Sequence, residues 1–364
     1  MLKVGIVGLP NVGKSTLFNA VLKKEQALSA NYPFATIEPN VGVVEVPDAR
    51  LDTLAALILK ETGKNPPKVY AAIEFVDIAG LIAGASKGEG LGNQFLANIR
   101  EVDMILQVVR DFADADIIRE HSKDPDNDTD VINSELIIKD LESLEKRIKS
   151  AGRNPSNAKE PGILSTYLDH LNKGGLAIDL KETLDPKDYK EIIKPLFLLT
   201  DKPIVYAFNV SETDDRLKTP YKETDQYKGK PVVFISAKIE SELSTLSAED
   251  QKMYMSDLGI AESGLDKVAQ VCFKKLGLIS YLTAGEKEVR AWEVAANSNA
   301  AVAAGRIHTD FEKNFIKAEV IAYKDYVECE TRAKARDKGK LRLEGKEYIV
   351  KDGDVIEFKI GAGK

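Results

Sequence analysis

The chain has 364 residues, 43% of them hydrophobic and 30% charged, with a formal net charge of -7. That length suffices for two or three domains with buried cores, and the composition excludes a disordered chain and a membrane-embedded one. The mild acidity argues against wholesale wrapping of nucleic acid or membrane and leaves room for a local basic face.

The N-terminal run MLKVGIVGLP is too short and too broken by glycine for a secretory signal, and no apolar run reaches the length of a membrane span. No membrane partner and a cytoplasmic location are therefore expected. Apolar runs at 2–7, 71–76, 104–109, 204–208 and 232–235 read as buried strands, with helical patterns such as 15–23 and 92–100 between them. That alternation predicts an α/β fold with a mostly parallel sheet, whose ligands bind at the carboxyl ends of the strands. The rhythm breaks near residue 134. Ile137, Leu141, Leu144 and Ile148 form a short heptad seam, a turn-rich stretch covers 150–162, and Leu164, Leu168 and Leu171 repeat the spacing. An antiparallel helical hairpin projecting from the sheet domain is expected, against the plainer reading of a pair packed flat on it. From Leu278 the texture becomes that of a small mixed α+β domain. Cys272 and Cys329 are expected to be reduced thiols, and His121, His170 and His308 lie too far apart to suggest a metal cluster.

GLPNVGKS at 8–15 fits G-x-x-x-x-G-K-[ST], the P-loop, with a strand before it and a helix after it. Its glycines let the backbone turn and aim N–H groups at phosphate oxygens, and the helix adds the positive end of its dipole. Asn11, Val12, Gly13, Lys14, Ser15 and Thr16 are the candidate phosphate-binding residues. Lys14 is expected to reach the β- and γ-phosphates, and the Ser15 hydroxyl to bind Mg2+. Asp77 opens DIAG at the end of the strand 71–76 and is a second candidate Mg2+ residue, with the Gly80 N–H placed to meet the γ-phosphate. Thr36, in NYPFATIEPN, is the candidate switch threonine that completes the metal shell, and GASKGEGLG at 84–92 suits a segment that orders around a γ-phosphate.

These motifs, with NVSE at 209–212 and the later TAGEKEVRAW, HTDFEK and LRLEGKEYIVKDGD, resemble the Obg-like ATPase (YchF) family of TRAFAC-class P-loop NTPases over essentially the whole chain. The resemblance implies an Obg-type nucleotide-binding G-domain at 1–133 and 200–277, an inserted α-helical coiled-coil arm at 134–199 and a C-terminal α+β TGS domain at 278–364. Most relatives of that fold read guanine with N-K-x-D. Here Asn209, Val210, Ser211 and Glu212 stand in its place. The lysine that covers the base is missing, and glutamate is one methylene too long to put its carboxylate where aspartate would. An unpaired buried group costs about 1–3 kcal/mol, so guanine selectivity is damaged. Asn209 could face an adenine N6/N7 edge. The residues alone say no more; the resemblance implies that the nucleotide is ATP. Ser236, Ala237 and Lys238, after the strand 232–235, resemble the last base-contacting loop, or form a plain strand-end turn.

Leu81 follows DIAG where Ras-like switches carry a water-positioning glutamine. The resemblance implies that attack is organised elsewhere, and family members carry a histidine at the position of Gln107. Lys14, Gly80 and Gln107 are thus the candidate catalytic residues. Glutamine can orient water but cannot take a proton near neutral pH, so a space-filling role for Gln107 stands equally. Asn11 matches an asparagine that holds potassium in related NTPases, which implies K+. Unassisted turnover on the order of 10⁻³ to 10⁻¹ s⁻¹ is expected for such a switch. The basic tract 332–342 is an RNA-facing patch or a solvated charged helix. A ribosome or RNA partner is what the resemblance implies, for a protein acting as a monomer. Trp292, Phe311 and Phe315 read as core. An Obg-type GTPase is the other reading. A kinase or metabolic enzyme would need an acceptor site that the sequence does not display.

Overall fold

The computed structural model describes residues 2–28, 40–78, 90–113, 124–151 and 158–361. In chain order the elements are β1 (Lys3–Val7), α1 (Lys14–Leu28), β2 (Val41–Val46), α2 (Arg50–Thr62), β3 (Lys68–Val69), β4 (Ala71–Asp77), α3 (Gly90–Glu101), β5 (Met104–Asp111), α4 (Pro125–Ala151) and α5 (Glu160–Asn172). There follow the single turn α6 (Pro186–Asp188), β6 (Ile204–Val210), β7 (Gln226–Tyr227), β8 (Lys230–Ile235), α7 (Ala237–Leu243), α8 (Ala248–Asp257) and α9 (Gly264–Lys275). The chain closes with β9 (Leu278–Ala284), β10 (Val289–Ala295), α10 (Ala300–Ile307), α11 (Thr309–Lys313), β11 (Phe315–Ala322), α12 (Tyr323–Cys329), α13 (Arg332–Asp337), β12 (Arg342–Glu344) and β13 (Asp354–Ile360). Two compact units result: Met1–Val44 with Glu74–Val268, and Glu45–Ile73 with Ala269–Lys364.

The first unit is built on a sheet of order β2-β4-β1-β5-β6-β8-β7. Strands β4, β1, β5, β6 and β8 run parallel, and β7 pairs antiparallel at the edge. Strand β6 is buried throughout, and β5 at every residue but the last. Their Val- and Ile-rich runs suit central parallel strands, which helices cover on both faces. All the parallel strands end at one edge, so the carboxyl ends of β1, β4, β5, β6 and β8 gather there, as the topology of open α/β sheets requires.

The helical insertion begins earlier than its heptads suggest, because α4 already starts at Pro125. Its first half is tied to the sheet. The Asn133 amide donates to the Tyr206 hydroxyl at 3.1 Å. Asp140, only 1% exposed, accepts from the Leu199 N–H at 2.7 Å, the Thr200 N–H at 2.8 Å and the Thr200 hydroxyl at 2.6 Å. Desolvation outweighs those three bonds and raises the Asp140 pKa. Farther along, of the expected seam Leu144 of α4 and Leu164 and Leu171 of α5 are buried while Leu141, Ile148 and Leu168 are half-buried, and Arg147 donates to Glu160 at 2.6 Å.

The second unit is built on a sheet of order β12-β11-β13-β9-β10-β3. Its core gathers Tyr281, Val294, Ala300, Ala303, Val320 and Ile356. Trp292 packs against that core, its ring stacked on Tyr281 at 6.4 Å, with the Arg290 guanidinium 3.9 Å above it. Helix α2 turns Leu51, Leu54, Ala55 and Ile58 inward and lies against β9 and β10, while β3 pairs in parallel with β10. Residues 45–73 thus belong to this unit, although the sequence places them inside the nucleotide-binding domain.

The basic tract is also here, and it carries little free charge. Arg332 pairs with Glu319 at 2.5 Å, Lys334 with Glu330 at 2.9 Å, Arg336 with Glu319 at 3.8 Å and Lys338 with Glu328 at 3.7 Å. Lys340 pairs with Asp325 at 3.0 Å and Arg342 with Glu344 at 3.1 Å. These pairs accord with the solvated reading of the tract. Among the described residues no helix is long and apolar enough to cross a membrane.

Candidate functional site

At the carboxyl edge of the first sheet lies a cavity of about 750 Å³. One wall is the loop from β1 into α1, contributing Leu9, Pro10, Asn11, Gly13, Lys14, Ser15 and Thr16. The loop after β5 adds Phe112 and Ala113, the end of β6 and its loop add Asn209, Val210, Ser211 and Glu212, and the loop into α7 adds Ser236, Ala237 and Lys238.

The loop into α1 needs its glycines for two distinct reasons. A side chain at Gly8 would meet the Val108 carbonyl of β5 at 2.9 Å. Gly13 sits at φ 93°, and a Cβ there would come within 2.2 Å of the Asn209 amide nitrogen. Asn11 takes a left-handed conformation at φ 63°, which asparagine tolerates better than most residues. The helix then starts at Lys14, so its first N–H groups face the cavity.

Asn209 is the keystone of that wall. Its amide nitrogen donates to the Val12 carbonyl at 2.9 Å, and its amide oxygen accepts from the Ala237 N–H at 2.9 Å. One side chain thereby fixes both the phosphate-side loop and the start of α7. Each amide atom already holds one protein partner, which leaves one N–H and one lone pair for the adenine edge that was expected to meet them. The Val12 side chain is 1% exposed and absent from the cavity wall, so what this residue brings to the loop is its backbone, the carbonyl of which Asn209 holds.

Lys14 and Asp77 meet in an ion pair. The expected phosphate-facing ammonium and the expected metal-facing carboxylate therefore share one corner, with the exposed Ser15 hydroxyl on the same wall. A hydroxyl and a carboxylate are hard oxygen donors. Two such protein ligands fit Mg2+, which keeps several waters and takes its remaining ligands from phosphates. No cluster of three His, Cys, Asp or Glu side chains suited to a metal occurs among the described residues. Thr36, Gly80 and Leu81 lie outside the described residues, as does most of the glycine-rich segment.

Gln107 is not brought to the cavity. It lies in mid-β5, opposite Val7 and Tyr206 in register, at 1% exposure, and among the described residues neither amide atom has a hydrogen-bond partner. Its absence from the cavity lining accords with the space-filling reading of the two.

The far end of the cavity is closed by charge. Lys238, at the start of α7, donates to Glu212 at 2.9 Å, and this contact raises the lysine pKa. Helix α7 itself is capped by the Ser236 hydroxyl. It is also braced by the buried Glu240, which accepts from the Gly264 N–H at 2.7 Å. Burial pushes the Glu240 carboxyl up to about 7. Phe112, with the Arg110 guanidinium 4.6 Å over its ring, is a wall residue that sequence reasoning missed. The signal was available, because any residue directly after a strand at this edge is a candidate.

Two sequence-family models match the chain. One, described as 50S ribosome-binding GTPase, covers residues 3–148; the YchF GTPase C-terminal model, described as a protein of unknown function (DUF933), covers residues 278–361. The ribosome-binding ATPase YchF of Bacillus subtilis (strain 168) is 46% identical over 98% of this chain and 99% of its own. That of Haemophilus ducreyi (strain 35000HP / ATCC 700724) is 49% identical over 98% of each. A solved structure, the Schizosaccharomyces pombe YchF GTPase, matches with a TM-score of 0.84 at 38% identity, covering 98% of this chain and 97% of that one.

Proposed function

The chain belongs to the YchF family, and from that premise we propose that it is a cytoplasmic, ribosome-associated regulatory ATPase that binds ATP and hydrolyses it slowly as a conformational switch. The observation that carries this reading is the cavity in which Lys14, Ser15 and an Asn209-braced loop converge, with a base end that lacks the usual guanine reader.

In this proposal the Lys14 ammonium meets the β- and γ-phosphates, and the N–H groups of Gly13, Lys14, Ser15 and Thr16 wrap the phosphate chain. The Ser15 hydroxyl and Asp77 hold Mg2+, which when bound neutralises phosphate charge. The Lys14–Asp77 pair is compatible with that entry, since each partner exchanges one opposite charge for another. Asn11 is the proposed K+ residue, and turnover is expected to be faster in potassium than in sodium buffer. The γ-phosphate role of Gly80 is proposed from the D-x-x-G motif and the metal role of Thr36 from its place in NYPFATIEPN.

The printed descriptions divide on the base, since the curated relatives are called ATPases while the solved relative and one matched model are called GTPases. The physical argument favours adenine. Val210 replaces the lysine whose stem would cover guanine, and the Glu212 carboxylate stands one methylene farther out than an aspartate would. Guanine's ring N–H and amino group thus lack the aspartate that would receive them, and each unpaired donor costs about 1–3 kcal/mol. Calorimetric titration with Mg2+ and each nucleotide tests this: ATP is expected to bind at least about tenfold more tightly than GTP. Tighter GTP binding would turn the assignment to an Obg-type GTPase.

A further inference from the structure

Glu212 and Lys238 reach the base end of the cavity from different loops, one after β6 and the other at the start of α7. The Lys238 ammonium lies 2.9 Å from Glu212 Oε2 and also contacts Oε1, so both carboxylate oxygens face it. Guanine presents two adjacent donors, its ring N–H and its amino group, and needs one carboxylate to accept from both. Adenine presents an acceptor at N1 and a donor at N6, and has no use for a bidentate carboxylate.

We propose that Lys238 is a specificity-determining residue: by engaging the Glu212 carboxylate from across the cavity, it withdraws the acceptor that guanine requires. Rejection of GTP then rests on an ion pair as well as on side-chain length. This deepens the ATP reading and rests on it. Glu242 is a further acidic neighbour of Lys238, but the hydrogen bond to Glu212 is the dominant influence on the lysine. Lys238 is largely exposed, so the pair is a modest one. Exposed pairs of this kind shift an equilibrium by up to about fivefold.

The test is a titration of fluorescent ATP and GTP analogues into the full chain and into Lys238→Met, Glu212→Gln and the double variant. Lys238→Met is expected to raise the ratio of GTP to ATP affinity by about two- to fivefold. In the Glu212→Gln background the same substitution is expected to leave the ratio unchanged, because no carboxylate remains to be released. Raising the salt concentration should narrow the discrimination of the parent chain and not that of Lys238→Met. A ratio unmoved by Lys238→Met, or one moved equally in both backgrounds, would overturn the proposal while leaving the ATP reading intact. A parent chain that prefers GTP would remove both.

Discussion

Asn209 shows how one side chain can hold two walls of a site together. Truncating it to alanine strands the Val12 carbonyl and the Ala237 N–H, both now satisfied at 2.9 Å. Two orphaned buried groups cost about 2–6 kcal/mol together. Asn209→Ala should therefore lower the melting temperature and weaken nucleotide binding at least about tenfold; full stability with full affinity would show that the brace is dispensable. Gln107 is the opposite case, a buried amide with no partner among the described residues. Gln107→Met keeps roughly the same volume and removes the unpaired group, so a gain of about 1–2 kcal/mol in urea unfolding is expected. Loss of ATP turnover at unchanged stability would return the amide to the reaction. The phosphate loop was legible in the sequence because its chemistry is local: eight consecutive residues carry it. The task of Asn209 was not, because its partners lie at Val12 and Ala237, on other loops.

At the scale of elements, the strand-helix rhythm was readable because buried parallel strands are short uninterrupted apolar runs, and β1, β4, β5, β6 and β8 all stand where such runs occur. The start of α4 was missed because PDNDTD, its first turns, is polar and looks like a loop; Thr129 and Asp128 are nonetheless buried there. Helix α7 yields a pH prediction. The Glu240 carboxyl titrates near 7 when folded and near its ordinary value of 4.5 when exposed. Between those two values the unfolded chain releases its proton first, so stability falls as pH rises through that window, and above 7 the loss is complete. Glu240→Gln keeps an acceptor for the Gly264 N–H and cannot ionise. It should match the parent chain below pH 4.5 and exceed it at pH 8 by roughly 3 kcal/mol. Parallel stability profiles for the two proteins across that range would contradict the assignment.

For the whole molecule, the order of residues along the chain disguises their partnership. Nothing in the run 45–73 announces that α2 belongs with strands more than two hundred residues later, since an amphipathic face does not name what it covers. A chain ending at residue 277 would leave Leu51, Leu54 and Ile58 without β9 and β10. Exposing three such side chains costs about 5 kcal/mol, so the truncated protein should bind a hydrophobic dye and be cleaved within 45–73; a dye-silent, protease-resistant fragment would count against this division. The same scale holds the central claim, that nucleotide state governs engagement of the ribosome. The direct measurement is co-sedimentation of the full chain with ribosomes in the presence of a non-hydrolysable ATP analogue, ADP or no nucleotide. The account expects the bound fraction to differ between the ATP-analogue and ADP states, and identical fractions in all three would contradict it.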